Sequence, residues 1–155
     1  MGRPFFPYKK FPYIKKVYKN KEREKKTSLF PFSVFERKIK MEDCLFCKII
    51  KKEINADIVY EDEEILAFKD IQPAAPIHIL VIPKKHIECV NDIKPEDEAL
   101  IGKIFTKIKE IAQTQGIDKT GYRVITNCGK DAGQEVMHLH FHLLAGKKLG
   151  EKIVG

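Results

Sequence analysis

Apolar and polar positions follow readable periods from about Met41 onward. Leu45, Ile49 and Lys52 share a helical spacing, and Asp43 stands where a cap belongs, so a short helix is expected over Cys44–Lys52. Ile58–Glu61 and Ile65–Lys69 read as two strands, with Asp62-Glu63-Glu64 as the hairpin turn between them. Ile77–Ile82 is a third strand, bounded by Pro76 and Pro83. Leu100, Ile101, Ile104, Phe105, Ile108, Ile111 and Ala112 then form one apolar stripe, which predicts a long helix over Pro95–Gln115. Pro95 suits its first turn, Glu96, Asp97 and Glu98 suit the positive end of its dipole, and Gly116 ends it. Tyr122–Thr126 is a fourth strand, Asn127–Glu135 a loop rich in Gly and Asp, and Met137–Leu144 the last strand. Five strands, one short helix and one long helix without βαβ alternation predict an α+β fold with a mainly antiparallel sheet.

The first 40 residues behave differently. Pro4, Pro7, Pro12 and Pro31 interrupt any regular element among Lys and aromatic residues. This leader is expected to be disordered or an artefact of start assignment, with Met41 a natural start of the 41–155 domain. It holds 13 Lys/Arg against 3 Asp/Glu, whereas residues 41–155 hold 16 against 19, so the net charge of +7 belongs to the leader. The domain is therefore not built to hold a polyanion; only the leader offers a basic arm for nucleic acid. A hydrophobic share of 43% with ten Phe supports a buried core. No apolar run reaches the roughly 18–20 residues of a membrane helix, and the start lacks a secretory apolar stretch. The expectation is a cytoplasmic protein with no membrane partner.

The polar residues that remain unexplained are thiols and imidazoles. Cys44, Cys47, Cys89 and Cys128 suit free thiols or metal ligands in such a compartment. Cys44-x-x-Cys47 alone leaves redox, structural and accidental readings open. His138, His140 and His142 alternate with Leu139, Phe141 and Leu143, so on a strand the three rings share one face while the apolar residues enter the core. Three imidazoles gain nothing for a core. One metal ion does not account for all three, because four steps of about 3.3 Å put the outer Cα atoms about 13 Å apart. A central imidazole that attacks phosphorus, flanked by donors to phosphate oxygens, is the other chemistry the triplet suits.

His138–Leu144 resembles the signature of the histidine-triad (HIT) family, in which three histidines alternate with apolar residues and two apolar residues follow. The resemblance runs through residues 43–148 and is strongest to the Hint branch. It is carried by Cys44-Leu-Phe-Cys-Lys-Ile-Ile, Leu66-Ala-Phe-Lys-Asp-Ile-Gln-Pro, Ala75-Pro-Ile-His-Ile-Leu-Val-Ile-Pro-Lys-Lys-His86, and Asn127 to Gly133-Gln134. It implies a nucleotide hydrolase or transferase acting at the α-phosphorus of purine nucleotide conjugates, in the manner of a phosphoramidase. His140 would be the nucleophile, forming a nucleotidyl-histidine, with His142 and His78 contacting the phosphate. Asn127, Gly133 and Gln134 would add contacts around it. Phe46, Ile49, Phe68 and Ile71 would line the base pocket, with Asp70 accepting from the ribose hydroxyls.

Bacterial members that carry such a CxxC pair it with two histidines on zinc. The matching set is Cys44, Cys47, His86 and His138, a closed shell of the structural kind, with no catalytic cofactor implied. The resemblance also implies a homodimer, with Pro95–Gln115 as an interface candidate. Glu135 departs from the Ser or Thr that Hint-type relatives carry beside the phosphate. Two other functions stand against this one: a nucleotide-binding regulatory or scaffold protein with vestigial activity, and a hydrolase using zinc-bound water.

Overall fold

A computed structural model of the chain describes residues 43–151. The leader and Met41 lie outside the described residues. Seven regular elements follow in order: α1 (Leu45–Ile50), β1 (Ile58–Glu61), β2 (Ile65–Lys69), β3 (Ile77–Pro83), α2 (Glu98–Thr114), β4 (Arg123–Ile125) and β5 (Phe141–Ala145). The strands form one antiparallel sheet in the order β1-β2-β3-β5-β4. The α+β class and the five-stranded antiparallel sheet expected from the pattern are the architecture observed.

Both faces of the sheet are covered, which explains why β3 reads as a nearly continuous apolar run rather than an alternating one. Period-two alternation sends Ile65, Ala67, Ile79, Val81, Phe141 and Leu143 to one face, where Ile104, Ile108, Ile111 and Ala112 of α2 pack on them. Leu66, Phe68, Leu80 and Ile82 point the other way, under Phe46, Cys47 and Ile49 of α1. His78 and His142 occupy the even positions of β3 and β5, so they emerge on the α1 side.

The hairpin turn forms because the Asp62 carboxylate accepts from the main-chain N–H groups of Glu64 and Ile65, at 2.8 and 2.7 Å. Several boundaries differ from the sequence expectation. The short helix begins at Leu45 with Cys44, not Asp43, at its N-cap and ends at Ile50, because Lys51 caps it and Lys52 turns to φ +62°. Pro95–Asp97 is a separate 3-10 turn, braced by the buried Asp97 carboxylate accepting from Lys94 N–H, and α2 starts only at Glu98. Strand β4 is limited to Arg123–Ile125.

The last strand starts at Phe141 rather than Met137. Phe141 pairs with Val81, which would bring Leu139 opposite Pro83, a residue with no N–H to continue the ladder. Instead Leu139 N–H donates to Ile87 O and His138 N–H donates to Val136 O, at 2.6 and 2.8 Å. His138 and His140 therefore sit on the irregular segment that leads into β5, and only His142 lies within the strand. Leu139 is nonetheless fully buried, which anchors that segment to the core.

Candidate active site

The triad region is best read from its hydrogen bonds, because each one fixes where a ring proton resides. The nucleus is His140, which is 6% exposed. Its Nδ1 lies 2.7 Å from the His138 carbonyl oxygen. A carbonyl only accepts, so Nδ1 carries the proton and Nε2 keeps its lone pair. Thr126 Oγ1 donates to the His140 carbonyl at 2.9 Å, holding the same residue from β4's end. Burial pushes the His140 pKa below the ordinary imidazole range, and the neighbouring His138 ring adds to this against the lift from its own hydrogen bond. At neutral pH the ring is neutral and buried, with its lone pair on Nε2.

His142 and His78 form a pair beside it. Ala74 N–H donates to His78 Nδ1 at 3.2 Å, and His78 Nε2 lies 2.9 Å from His142 Nδ1. His142 Nε2 is buried and has no hydrogen-bond partner among the described residues. Burial, with the His140 and His78 rings, pushes the His142 pKa down to about 4. Burial also lowers His78, against the pull of the Asp70 carboxylate. The His140 and His142 ring centres are 5.0 Å apart. A lone pair on one ring thus neighbours a ring nitrogen on the next that has no partner among the described residues.

A second cluster lies on the other side of His138. Cys44, Cys47, His86 and His138 bring their ligand atoms within 4.8 Å of one another. Cys44 Sγ is 3.5 Å from His138 Nδ1, and Cys47 Sγ is 3.6 Å from it and 3.3 Å from His86 Nδ1. Sulfur and nitrogen ligands on a tetrahedral zinc stand about 3.5 Å apart, given bonds of about 2.3 and 2.0–2.1 Å. Donor set and spacing both fit a metal of that kind. His138 is fully buried and donates from Nε2 to Pro83 O at 2.8 Å, which leaves Nδ1 as the free lone pair a metal needs. The hydrogen bond from Cys47 holds the Cys44 thiol well below its ordinary range, with His138 and His86 contributing, while the same bond raises Cys47.

The remaining expected residues separate into three groups. Phe46, Ile49 and Phe68 are buried, and the Phe46 ring meets Phe68 and His140 edge-on at 5.5 and 5.4 Å. Ile71 is 77% exposed, so it is no part of that buried wall and stands open to solvent beside Asp70. The Asp70 carboxylate accepts from Gln72 N–H at 2.8 Å and lies 3.5 Å from His78 Nε2. In the loop after β4, Asn127 is half-buried and Gly133 is exposed with φ +78°. Gln134, expected among the phosphate contacts, instead spends its side-chain amide on the backbone. It donates to Glu88 O and Val136 O and accepts from Gly129 N–H, all within 3.1 Å. Its donors already have acceptors, so it braces the loop. Glu135, which stands where Hint-type relatives carry Ser or Thr, is exposed.

Sequence reasoning missed Thr126, Ala74 and the carbonyls of Pro83 and His138. Three of these act through main-chain atoms, which leave no side-chain signature. Thr126 carried a weak signal, being a hydroxyl at the end of a strand beside the triad.

The geometry is that of a cluster of buried imidazoles on an α+β sheet, and comparison with known proteins gives it a family. The family described as scavenger mRNA decapping enzyme C-term binding matches residues 43–153. A purine nucleoside phosphoramidase of Escherichia coli strain K12 is 49% identical over 109 residues, covering 70% of this chain and 92% of the relative. An uncharacterized HIT-like protein of Rickettsia prowazekii is 51% identical over 106 residues, covering 68% of this chain and 88% of its own. Among solved structures, a HIT family hydrolase from Clostridium thermocellum superposes with a TM-score of 0.71 at 50% identity, covering 73% of this chain and 98% of that one. A histidine triad protein from Clostridium difficile gives 0.69 at 53% identity, covering 71% and 96%. The chain belongs to the histidine-triad family. Its kinship supports hydrolase activity on nucleotides in general terms. Among the described residues no helix is long and apolar enough to cross a membrane.

Proposed function

We propose that this chain hydrolyses purine nucleotide phosphoramidates and related nucleotidyl conjugates at the α-phosphorus, through a nucleotidyl intermediate on His140. The observation that carries this reading is the 2.7 Å bond from His140 Nδ1–H to the His138 carbonyl, which leaves Nε2 as the lone pair. In the first step Nε2 attacks phosphorus and the P–N bond to the leaving amine breaks. The nitrogen takes the electron pair and is protonated from solvent. In the second step water attacks phosphorus, the P–Nε2 bond breaks, a proton is released, and the neutral ring returns.

His140 becomes cationic while phosphorylated, so its bond to the His138 carbonyl strengthens from a neutral to a charge-assisted one. The gain is about 1 kcal/mol delivered only along the reaction path. His142 Nε2–H donates to a phosphate oxygen, the partner its buried nitrogen lacks. Phe46, Ile49 and Phe68 offer the flat apolar surface that a purine needs, and Asp70 suits a ribose diol.

Cys44, Cys47, His86 and His138 would hold zinc, which supplies a structural cross-link when bound and no open position for a substrate. The reading includes a reducing, cytoplasmic setting, which the four free thiols suit. It includes a homodimer through α2, where Phe105 is 51% exposed on a stripe whose Ile104, Ile108, Ile111 and Ala112 are buried.

The test is His140→Ala. Hydrolysis of an adenosine 5′-phosphoramidate should collapse while adenosine monophosphate still binds, and quenched wild-type reactions should yield an adenylylated His140 peptide by mass spectrometry. Turnover that survives the substitution sinks the mechanism.

A further inference from the structure

The segment 71–76, between β2 and β3, is tied to the end of β5 by two unusual contacts. Gly146 has φ +88°, and a Cβ placed there would lie 2.9 Å from Pro76 Cβ, so only glycine lets the chain pass this close to the Pro76 ring. Next to it Lys147 Nζ donates to the Ala74 carbonyl oxygen at 2.9 Å. These clamps, with the Asp70 carboxylate accepting from Gln72 N–H, hold one main-chain group facing inward. That group is Ala74 N–H, which donates to His78 Nδ1.

The bond has a consequence two rings away. A neutral imidazole that accepts at Nδ1 carries its proton on Nε2. His78 therefore donates from Nε2 to His142 Nδ1, 2.9 Å distant, and the same rule puts the His142 proton on its own Nε2. The Asp70 carboxylate, 3.5 Å from His78 Nε2, favours the same protonated end. A separation of 2.9 Å also suits a shared proton better than a shared ion, since two nitrogens on one tetrahedral zinc stand about 3.3 Å apart. The chain of donors ends at His142 Nε2–H, buried and unanswered among the described residues. If His78 took the other tautomer, every arrow would reverse. His142 would donate backward from Nδ1 and present a lone pair where the phosphate oxygen arrives.

We infer that the main-chain N–H of Ala74 is a positioning group for the reaction: acting through His78, it fixes the His142 proton on the nitrogen that meets the phosphate. Gly146 and Lys147 serve by holding its loop. The inference deepens the proposed function and rests on His142 as a phosphate donor.

Ala74→Pro deletes the N–H, and Ala74→Gly keeps it. Nitrogen-15 NMR of the full chain, labelled at histidine, reports which nitrogen of each ring is protonated and needs no substrate. Wild type and Ala74→Gly should both show Nε2–H on His78 and His142, whereas Ala74→Pro should show His142 as a mixture. With an adenosine 5′-phosphoramidate, kcat should fall about 10–100-fold in Ala74→Pro with KM close to wild type. Ala74→Gly should match wild type in both constants. A wild-type His142 protonated at Nδ1 overturns the inference. So does an Ala74→Pro variant with unchanged kcat, or with lowered kcat and unaltered tautomers. If Ala74→Pro does not fold, the wild-type spectra decide. If wild type fails to turn over the phosphoramidate, the proposed function falls while the spectra still judge the tautomers.

Discussion

Truncating His142 to alanine gives the sharpest measure of how the proposed site works. Among the described residues its Nε2 is buried with no partner, while its Nδ1 accepts from His78 Nε2 at 2.9 Å. The substitution removes a donor aimed at phosphate and also strips His78 of its acceptor. The second loss has a local remedy, because Asp70 Oδ2 already lies 3.5 Å from His78 Nε2 and needs only a small movement to take the bond. Folding stability should therefore fall by no more than about 1–3 kcal/mol, the cost of leaving one buried donor poorly satisfied. The loss of the phosphate donor is larger in rate terms, about 10²–10³ in kcat, or about 2.7–4 kcal/mol of transition-state stabilisation. Steady-state hydrolysis of an adenosine 5′-phosphoramidate separates the two, with chemical denaturation run in parallel. KM should change little, because the base and ribose contacts remain. A variant that keeps wild-type kcat refutes the assignment of His142 as a phosphate donor.

Other outcomes follow from the same geometry. Because burial depresses the His140 pKa, the acid limb of kcat/KM should lie below pH 6.5, the ordinary imidazole value, and a limb at or above it contradicts the buried neutral nucleophile. The depressed His142 value means that the unfolded chain binds more protons below pH 6.5. Stability should fall as pH drops from there through about 4, and denaturation midpoints that rise on acidification contradict this sign. Replacing Cys47 by serine should remove about one zinc per chain from purified, reduced protein and lower its thermal midpoint, whereas unchanged metal content dismisses the ligand set. Leu139→Ala, at a fully buried position, should cost about 2–5 kcal/mol in chemical denaturation, and a negligible change contradicts its anchoring role.

Much of the fold was legible because side-chain periodicity carries it. The β1–β2 hairpin was readable to its boundaries, since two short apolar runs flank a turn whose acidic first residue makes the turn bonds itself. The stripe of α2 was equally plain, apart from a first turn that Asp97 tightens into a 3-10 turn. The sequence misleads where backbone chemistry decides. His-x-His-x-His alternates like a strand from Met137, yet the missing N–H of Pro83 halts the ladder at Phe141. The elements that set ring protonation, Ala74 N–H and the His138 carbonyl, have no residue type to read at all.

His138 explains why a structural cluster and a reactive ring share one segment. Its Nδ1 faces Cys44 and Cys47, its Nε2–H is tied to Pro83 O, and its carbonyl orients His140. All three groups belong to a fully buried residue on a stretch of backbone that the β-ladder does not hold. Side-chain anchoring at His138 therefore does for this stretch what strand pairing does for β5. A ring held at both nitrogens cannot rotate, so its carbonyl stays within 2.7 Å of His140 Nδ1 and the nucleophilic lone pair stays on Nε2. Loosening the cysteine side should then lower activity by blurring the orientation of His140, without touching a group that meets the substrate. In Cys47→Ser, kcat should fall while the His142 tautomer remains as in wild type. A metal-free variant with full kcat would mean that Pro83 and the buried Leu139 suffice to hold the carbonyl in place.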